Sequence, residues 1–250
     1  MNKQAFHARI WSKLVAYNRR HSLVRSGDRI IVAVSGGPDS VCLAHFLHLL
    51  SQRRNIHIRL LHLNHGLRGR AADNDARSVE TLGRKLGVPV SVRQISVSRF
   101  ARNSGRSLED AGRLLRYRAL LQEARRQRFN KVATGHQMDD QAETLLLNLL
   151  RGTRAKGLAG IPPLRPLKKD IRVARPLLAL NRQEVLDYLK YHRLSYRIDK
   201  TNHSPQFTRN WIRKVVLPLL ERKNPGVRAH LAQIAEELGD KWHRSSFSKA

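Results

Sequence analysis

Between residues 29 and 174, short apolar and β-branched runs alternate with helical patterns of ten or more residues, and this alternation constrains the fold more than any other feature. The runs fall at 29–34, 57–63, 90–95, 131–134 and 171–174, with helical patterns near 40–53, 72–86, 107–127 and 140–151. Each intervening segment is long enough to return the chain parallel with right-handed sense. The pattern predicts an α/β fold: a doubly wound, mostly parallel five-stranded sheet, preceded by an amphipathic helix around 4–20. In such a sheet ligands sit beyond the carboxyl ends of the strands, near the point where strand order reverses. The stretch 151–170, with three Gly and three Pro, is too broken for regular structure and reads as a loop or lid over that edge. Helical patterns resume at 182–192 and from 207 onward, interrupted at Pro218 and at Asn224-Pro225-Gly226. A chain of 250 residues is expected to form one main domain, here a catalytic unit over 1–216 with a short helical extension over 217–250.

Charge narrows the function. Lys and Arg total 48 against 19 Asp and Glu, a net charge of +29. Residues 217–250 hold six basic and four acidic residues and so carry only +2, which leaves +27 on residues 1–216. Because that charge is mixed into segments with hydrophobic periodicity, it implies a structured basic surface facing a polyanion, not a disordered arm. Cys42 is the only cysteine, which rules out an intramolecular disulfide or a thiolate-only metal or iron–sulfur site within the chain. It lies inside an apolar helical run and reads as core. The N-terminal segment is interrupted by charge every few residues, and no stretch approaches the length of a membrane span. The cytosol is the expected compartment, with no membrane partner.

The strongest chemical signal is Ser35-Gly36-Gly37-Pro38-Asp39-Ser40, set between the strand RIIVAV and the helix SVCLAHFLHLL. Two glycines let the backbone turn tightly and approach a ligand, and the helix start offers unpaired N–H groups and a positive dipole to phosphate oxygens. Ser35 and Ser40 add hydroxyls. The loop lacks the Lys and the spacing of a Walker A motif, and it lacks G-x-G-x-x-G, so kinase-type hydrolysis and dinucleotide binding both lose support.

The loop resembles the pyrophosphate-binding loop of the N-type ATP pyrophosphatases, which cleave ATP between the α and β phosphates. Further stretches make the chain similar to the bacterial tRNA(Ile)-lysidine synthetases: Asn64 to Gly69 (NHGLRG), Ala111 to Tyr117 (AGRLLRY) and Gly135 to Thr144 (GHQMDDQAET). Arg154 to Gly160 (RAKGLAG), Arg175-Pro176-Leu177-Leu178, Asp199-Lys200-Thr201-Asn202 and Arg209-Asn210-Trp211-Ile212-Arg213 follow in the same order. The similarity covers roughly residues 25–240. Gln137 stands where many members have a second His, and Lys200 where the pattern often has Pro. Many members also continue into C-terminal domains that help hold the tRNA.

This resemblance implies an adenine nucleotide alpha hydrolase-like fold, ATP with Mg2+, and free lysine and a tRNA(Ile) with a CAU anticodon as partners; it leaves a homodimer open. The implied reaction adenylates the C2 carbonyl oxygen of the wobble cytidine, and the ε-amine of lysine then displaces AMP, giving lysidine. The loop 35–40 would hold the leaving pyrophosphate, with Asp39 facing the magnesium and phosphates. Asp140 and Glu143, three apart at a helix start, fall on one face, where paired acids could grip a lysine ammonium or accept its proton. Asp139 alone reads better as a helix-terminal acid. Arg116 is the arginine expected to meet phosphate charge, with Arg113 at the surface. His65 and His136 follow strand ends, where each ring either stacks on or hydrogen-bonds to the nucleotide, or caps a turn. Two rivals share the scaffold: a tRNA thiolase, disfavoured by the single cysteine, and a catalytically idle RNA-binding module, disfavoured by the intact loop and acid pair.

Overall fold

The computed structural model describes residues 3–64, 70–197 and 208–247. The first helix, α1 (Lys3–Arg20), leads into β1 (Arg29–Ala33), α2 (Pro38–Arg53), β2 (His57–Asn64), α3 (Arg70–Leu86) and β3 (Val90–Gln94). Then come α4 (Val97–Ser104), α5 (Leu108–Arg126), β4 (Lys131–Ala133), α6 (Met138–Leu150), β5 (Leu164–Lys168), β6 (Ile171–Ala174) and α7 (Arg182–Tyr191). After the next described residue, Thr208, the chain runs through α8 (Thr208–Trp211), a π turn (Ile212–Val216), α9 (Leu217–Lys223) and α10 (Val227–Phe247). No described helix is long and apolar enough to cross a membrane.

The strands form one sheet in the order β3-β2-β1-β4-β6-β5, parallel except for the β5–β6 pair. The doubly wound α/β expectation holds, and the strands at 29–33, 57–64, 90–94, 131–133 and 171–174 match their expected positions within a residue. β1 shows why the centre is parallel. Ile30 and Val32 join a core with α1, α2 and α7, while Ile31 joins a second core on the opposite face with Leu61, Leu120, Phe129 and Val132. A strand buried on both faces has to be continuously apolar.

The five-stranded count needs correcting to six. Within 151–170 the chain forms a 3-10 turn (Ala155–Ala159) and the antiparallel strand β5, so this stretch is not an irregular lid. Pro166 is tolerated because β5 is the sheet edge, where a missing N–H removes no central ladder bond, and the register shifts between Pro166 and Lys168. Helix α4 was also absent from the periodicity. It spans eight residues and stops at Gly105, whose φ is +63°. Pro218 does not end the helical run, because a π turn precedes it and Pro218 enters the first turn of α9, where an amide donor is dispensable.

Helix α10 closes back on the domain. Arg20, the last residue of α1, and His21 just after it pair with Asp240 and Glu236 at 2.8 and 3.0 Å, and Gly160 leaves room for Ala235, since a Cβ there would lie 3.0 Å from the alanine methyl.

Candidate active site

Strand order reverses between β1 and β4, and the segments following these two strands build the site. After β1, Gly36 adopts φ +89°, a conformation open to glycine at little cost, and Gly37 serves as N-cap of α2 with Pro38 in its first turn. The loop is stiffened internally. The Ser40 hydroxyl donates to the Gly37 carbonyl (2.8 Å) and accepts from the Ser35 amide (3.2 Å), and the Ser35 oxygen accepts from the Gly37 amide (3.3 Å). No side chain caps the start of α2, so its first amides face outward. Gly135, after β4, lets the two segments touch: a Cβ there would lie 3.1 Å from the Asp39 carbonyl carbon and 3.2 Å from the Ser40 amide nitrogen.

Asp39 is half-buried and already paired. Nη1 of Arg182, in the first turn of α7, lies 2.8 Å from each carboxylate oxygen. Burial raises the Asp39 pKa, with the charges of Arg182 and Arg213 opposing and that of Asp139 reinforcing it. Asp139 itself is buried, with Oδ1 lacking a hydrogen-bond partner among the described residues and Oδ2 lying 3.5 Å from Arg228 of α10. Burial raises its pKa too.

Asp139 does not cap α6. The Gln137 side chain accepts from the Asp139 amide (2.8 Å) and Asp140 Oδ2 accepts from the Gln137 amide (3.0 Å), a reciprocal box that gives the glutamine its role. Asp140 and Glu143 do share one face, as their spacing implied, and both meet arginines from the helical run after residue 207. Arg213 donates Nε and Nη2 to the two oxygens of Glu143 (2.5 and 2.9 Å), and Arg209 donates Nε to the second oxygen (3.1 Å). The free oxygen of Asp140 lies 3.4 Å from Arg213 and 3.6 Å from Arg209. Glu143 is 1% exposed, so these partners are what make its burial tolerable. Burial and the Glu143 charge push the Asp140 pKa up to about 6.

A cationic wall faces this acid cluster. His136 shares a hydrogen bond with the Thr134 hydroxyl (2.9 Å), and burial followed by the charges of Arg175, Arg116, Arg209 and Arg113 holds its pKa well below the usual histidine value. The ring is neutral at physiological pH. Arg175 is 1% exposed and donates to the Pro162 carbonyl (2.6 Å) and the Tyr117 hydroxyl (3.3 Å). Arg113, exposed as expected, and Arg165 lie over the Tyr117 ring at 5.6 and 4.8 Å and join this wall. Arg116 is exposed on the same helix.

The structure thus brings together Ser35 to Ser40, Arg116, His136, Asp140 and Glu143, whereas His65 lies outside the described residues. Cys42 is fully buried, as its apolar setting implied. Sequence reasoning missed Arg182, which had no local signal beyond its place after the N-cap Asn181. Arg175, Arg209 and Arg213 lie in sequence motifs, but nothing local identifies their partners. Among the described residues no three His, Cys, Asp or Glu side chains are arranged to hold a metal ion.

Comparison with known proteins gives a consistent result. A family model described as PP-loop domain matches residues 8–220. The tRNA(Ile)-lysidine synthase of Symbiobacterium thermophilum is 44% identical over 89% of this chain and 46% of its own length. That of Clostridioides difficile is 41% identical over 85% of this chain and 45% of its own length. The chain therefore spans less than half the length of these relatives. Among solved structures, the U34-tRNA thiolase NcsA of Methanococcus maripaludis superposes with a TM-score of 0.76 at 19% identity, covering 95% of this chain and 80% of that one, a likeness of fold.

Proposed function

Since the chain belongs to the PP-loop domain family, we propose that it is the ATP-dependent catalytic unit of a tRNA(Ile)-lysidine synthase, with residues 1–216 as its catalytic domain and 217–250 as a helical extension. The observation that carries this reading is the loop Ser35–Ser40 at the strand-order reversal, facing a cluster of acids on one side and a wall of arginines on the other.

In the first step the C2 carbonyl oxygen of the wobble cytidine attacks the α-phosphorus of ATP, and the bond to the β,γ-pyrophosphate breaks. Amides at Gly36 and the first turn of α2, with the Ser35 hydroxyl, cradle the departing pyrophosphate, while Gly37 and the Ser40 hydroxyl, bonded within the loop, hold its shape. Pro38 fixes the entry into the helix. Arg116 meets the phosphate charge, and His136, being neutral, hydrogen-bonds or stacks on the nucleotide without adding to the crowded positive charge. Two carboxylates, Asp39 and Asp139, suit a hard cation that arrives with substrate phosphates, and the unpartnered Oδ1 of Asp139 is a donor with nothing else to do. Magnesium held there would offset the charge gathering on the pyrophosphate.

In the second step the lysine ε-amine adds to C2 and AMP leaves. A lysine amine has a pKa of about 10.4 and must give up a proton before it attacks. Asp140, raised to about 6, has the basicity to take it. Glu143 holds Arg209 and Arg213 in place and shares with Asp140 the attraction for the incoming ammonium. The +27 of residues 1–216 supplies the affinity for the RNA backbone. A thiolase needs sulfur carried on the enzyme, and the only cysteine here is buried in α2.

The test omits ATP, lysine and tRNA in turn while pyrophosphate and AMP are measured. Pyrophosphate release that requires tRNA and ATP, with AMP release that further requires lysine, is expected. Turnover that ignores lysine but responds to a sulfur donor, or pyrophosphate release without tRNA, would refute the reading.

A further inference from the structure

The Asp39 carboxylate, central to the reading above, is held by an arginine from a neighbouring helix on the same face of the sheet. Asp39 stands in the first turn of α2, after β1, and Arg182 in the first turn of α7, 143 residues later. The start of α7 is fixed by its own contacts. Asn181 and Glu184 form a reciprocal cap at 2.8 and 2.9 Å, Glu184 accepts from Lys13 of α1 at 2.9 Å, and the Leu180 carbonyl accepts from the Met138 amide at 2.8 Å. The backbone of Arg182 is therefore tied to α1 and α6. Its side chain is 44% exposed and swings on a flexible stem.

The geometry of the pair matters. A single nitrogen, Nη1, serves both carboxylate oxygens at 2.8 Å. An arginine built to lock a carboxylate uses two parallel N–H···O bonds from two nitrogens, which adds orientation to charge. Here one guanidinium nitrogen sits astride the two carboxylate oxygens, a point-charge contact that a metal cation could replace. The neighbourhood favours a cation at this spot: burial is what chiefly disfavours the Asp39 charge, Asp139 adds a smaller repulsion, and Arg182 is the main group that offsets them, ahead of Arg213.

We propose that Arg182 is the resident counter-ion of the loop: it neutralises Asp39 in the absence of nucleotide, and when a divalent cation entering with ATP takes the carboxylate, the guanidinium transfers to the β- and γ-phosphate oxygens. Arg182 is then a specificity residue for the triphosphate, since AMP lacks the β- and γ-phosphate oxygens. Exchange of one cation for another keeps the pocket near neutrality throughout, and it makes metal binding to the empty loop weak until phosphates arrive to receive the arginine. The inference rests on the ATP reading above.

Two binding measurements without turnover test it, on wild type, Arg182→Ala and Arg182→Lys. The first is Mn2+ binding to the nucleotide-free protein, followed by the loss of the free-ion spin-resonance signal. The second is calorimetric binding of ATP with Mg2+, and of AMP. Removing the competitor should tighten Mn2+ binding several-fold in Arg182→Ala, while ATP binding weakens about tenfold, the loss of one charge-assisted contact, and AMP binding stays within twofold. Arg182→Lys should recover part of both effects. Thermal unfolding checks each variant, and Arg182→Gln carries the measurement if the alanine variant does not fold. Mn2+ affinity that is unchanged or lower overturns the exchange, and equal losses for ATP and AMP overturn the transfer to phosphate. Wild type that binds no ATP would refute the nucleotide reading itself, while the Mn2+ arm still decides whether Arg182 and a metal compete for Asp39.

Discussion

Replacing Gly135 by alanine would put a methyl group against the backbone of the phosphate-binding loop. The added carbon would lie 3.1 Å from the Asp39 carbonyl carbon, 3.2 Å from its oxygen and 3.2 Å from the Ser40 amide nitrogen. Carbon contacts settle at roughly 3.5–4.0 Å, so the start of α2 or the turn after β4 must retreat by about 0.4 Å. All three atoms are backbone, and no side chain can swing away to absorb the change. Overpacking of this kind costs about 1–3 kcal/mol, which for a chain of this size lowers Tm by about 2–12 °C. The displaced atoms are those that carry the outward amides, so ATP binding should weaken by about three- to tenfold, a fraction of the effect of a full 1 Å misplacement. Gly105→Ala is the control. Gly105 has φ +63° with nothing within 4 Å of its Cβ position, so alanine there strains the backbone by about 1–2 kcal/mol far from the loop. Thermal melts and calorimetric ATP titrations of both variants separate the two effects. If Gly135→Ala loses only stability and binds ATP as Gly105→Ala does, the close approach of the two segments does not position the loop.

Three further outcomes follow from the same reasoning. Glu123, 1% exposed, accepts from Ser91, Arg93 and Arg126 at 2.8, 3.0 and 2.8 Å. Burial alone would raise its pKa, yet these bonds bring it to about 2, so its contribution to stability is present above about pH 4.5 and is lost as pH falls toward 2. Glu123→Gln should cost about 1–3 kcal/mol at pH 7 and flatten the acid limb of the unfolding curve; an unchanged limb would place the acid sensitivity elsewhere. Asp140 is shifted the other way. With a folded pKa of about 6, its carboxyl favours the folded state at pH below about 4 and loses that effect as pH rises through 6, so Asp140→Asn should flatten stability between about pH 4 and 6. The same variant should slow the lysine-dependent step more than adenylate formation, and equal slowing of both steps would move Asp140 to the metal site. Finally, tRNA affinity should fall steeply with salt, each neutralised phosphate adding about 0.9 to the log–log slope for a duplex, and a version ending at Val216 that remains folded should keep that slope, because +27 lies before residue 217. A slope that disappears with the last helices would show that they carry the backbone contacts.

The sequence by itself determined the elements whose encoding is local. The continuous apolar run 30–34 is what a strand buried on both faces requires, and Ser35-Gly36-Gly37-Pro38-Asp39-Ser40 carries its own turn chemistry, with Gly36 at φ +89° and Pro38 in the first helical turn. The shared face of Asp140 and Glu143 follows from their helical spacing alone. Only the tertiary structure decided who partners them. Arg182 lies 143 residues from Asp39, and Arg213 lies 70 residues from Glu143; an arginine in a sequence with 48 basic residues gives no sign of which acid it will meet. The neutrality of His136 is likewise a property of its place, set by burial and four arginines drawn from different segments. The edge strand Leu164–Lys168 escaped because Pro166 counts against a strand everywhere except at an edge, and which strand is the edge is a fact about the whole sheet. Local pattern fixes where the backbone satisfies its hydrogen bonds and which side chains leave water. Long-range charge pairing depends on distances that exist only once the layers have packed.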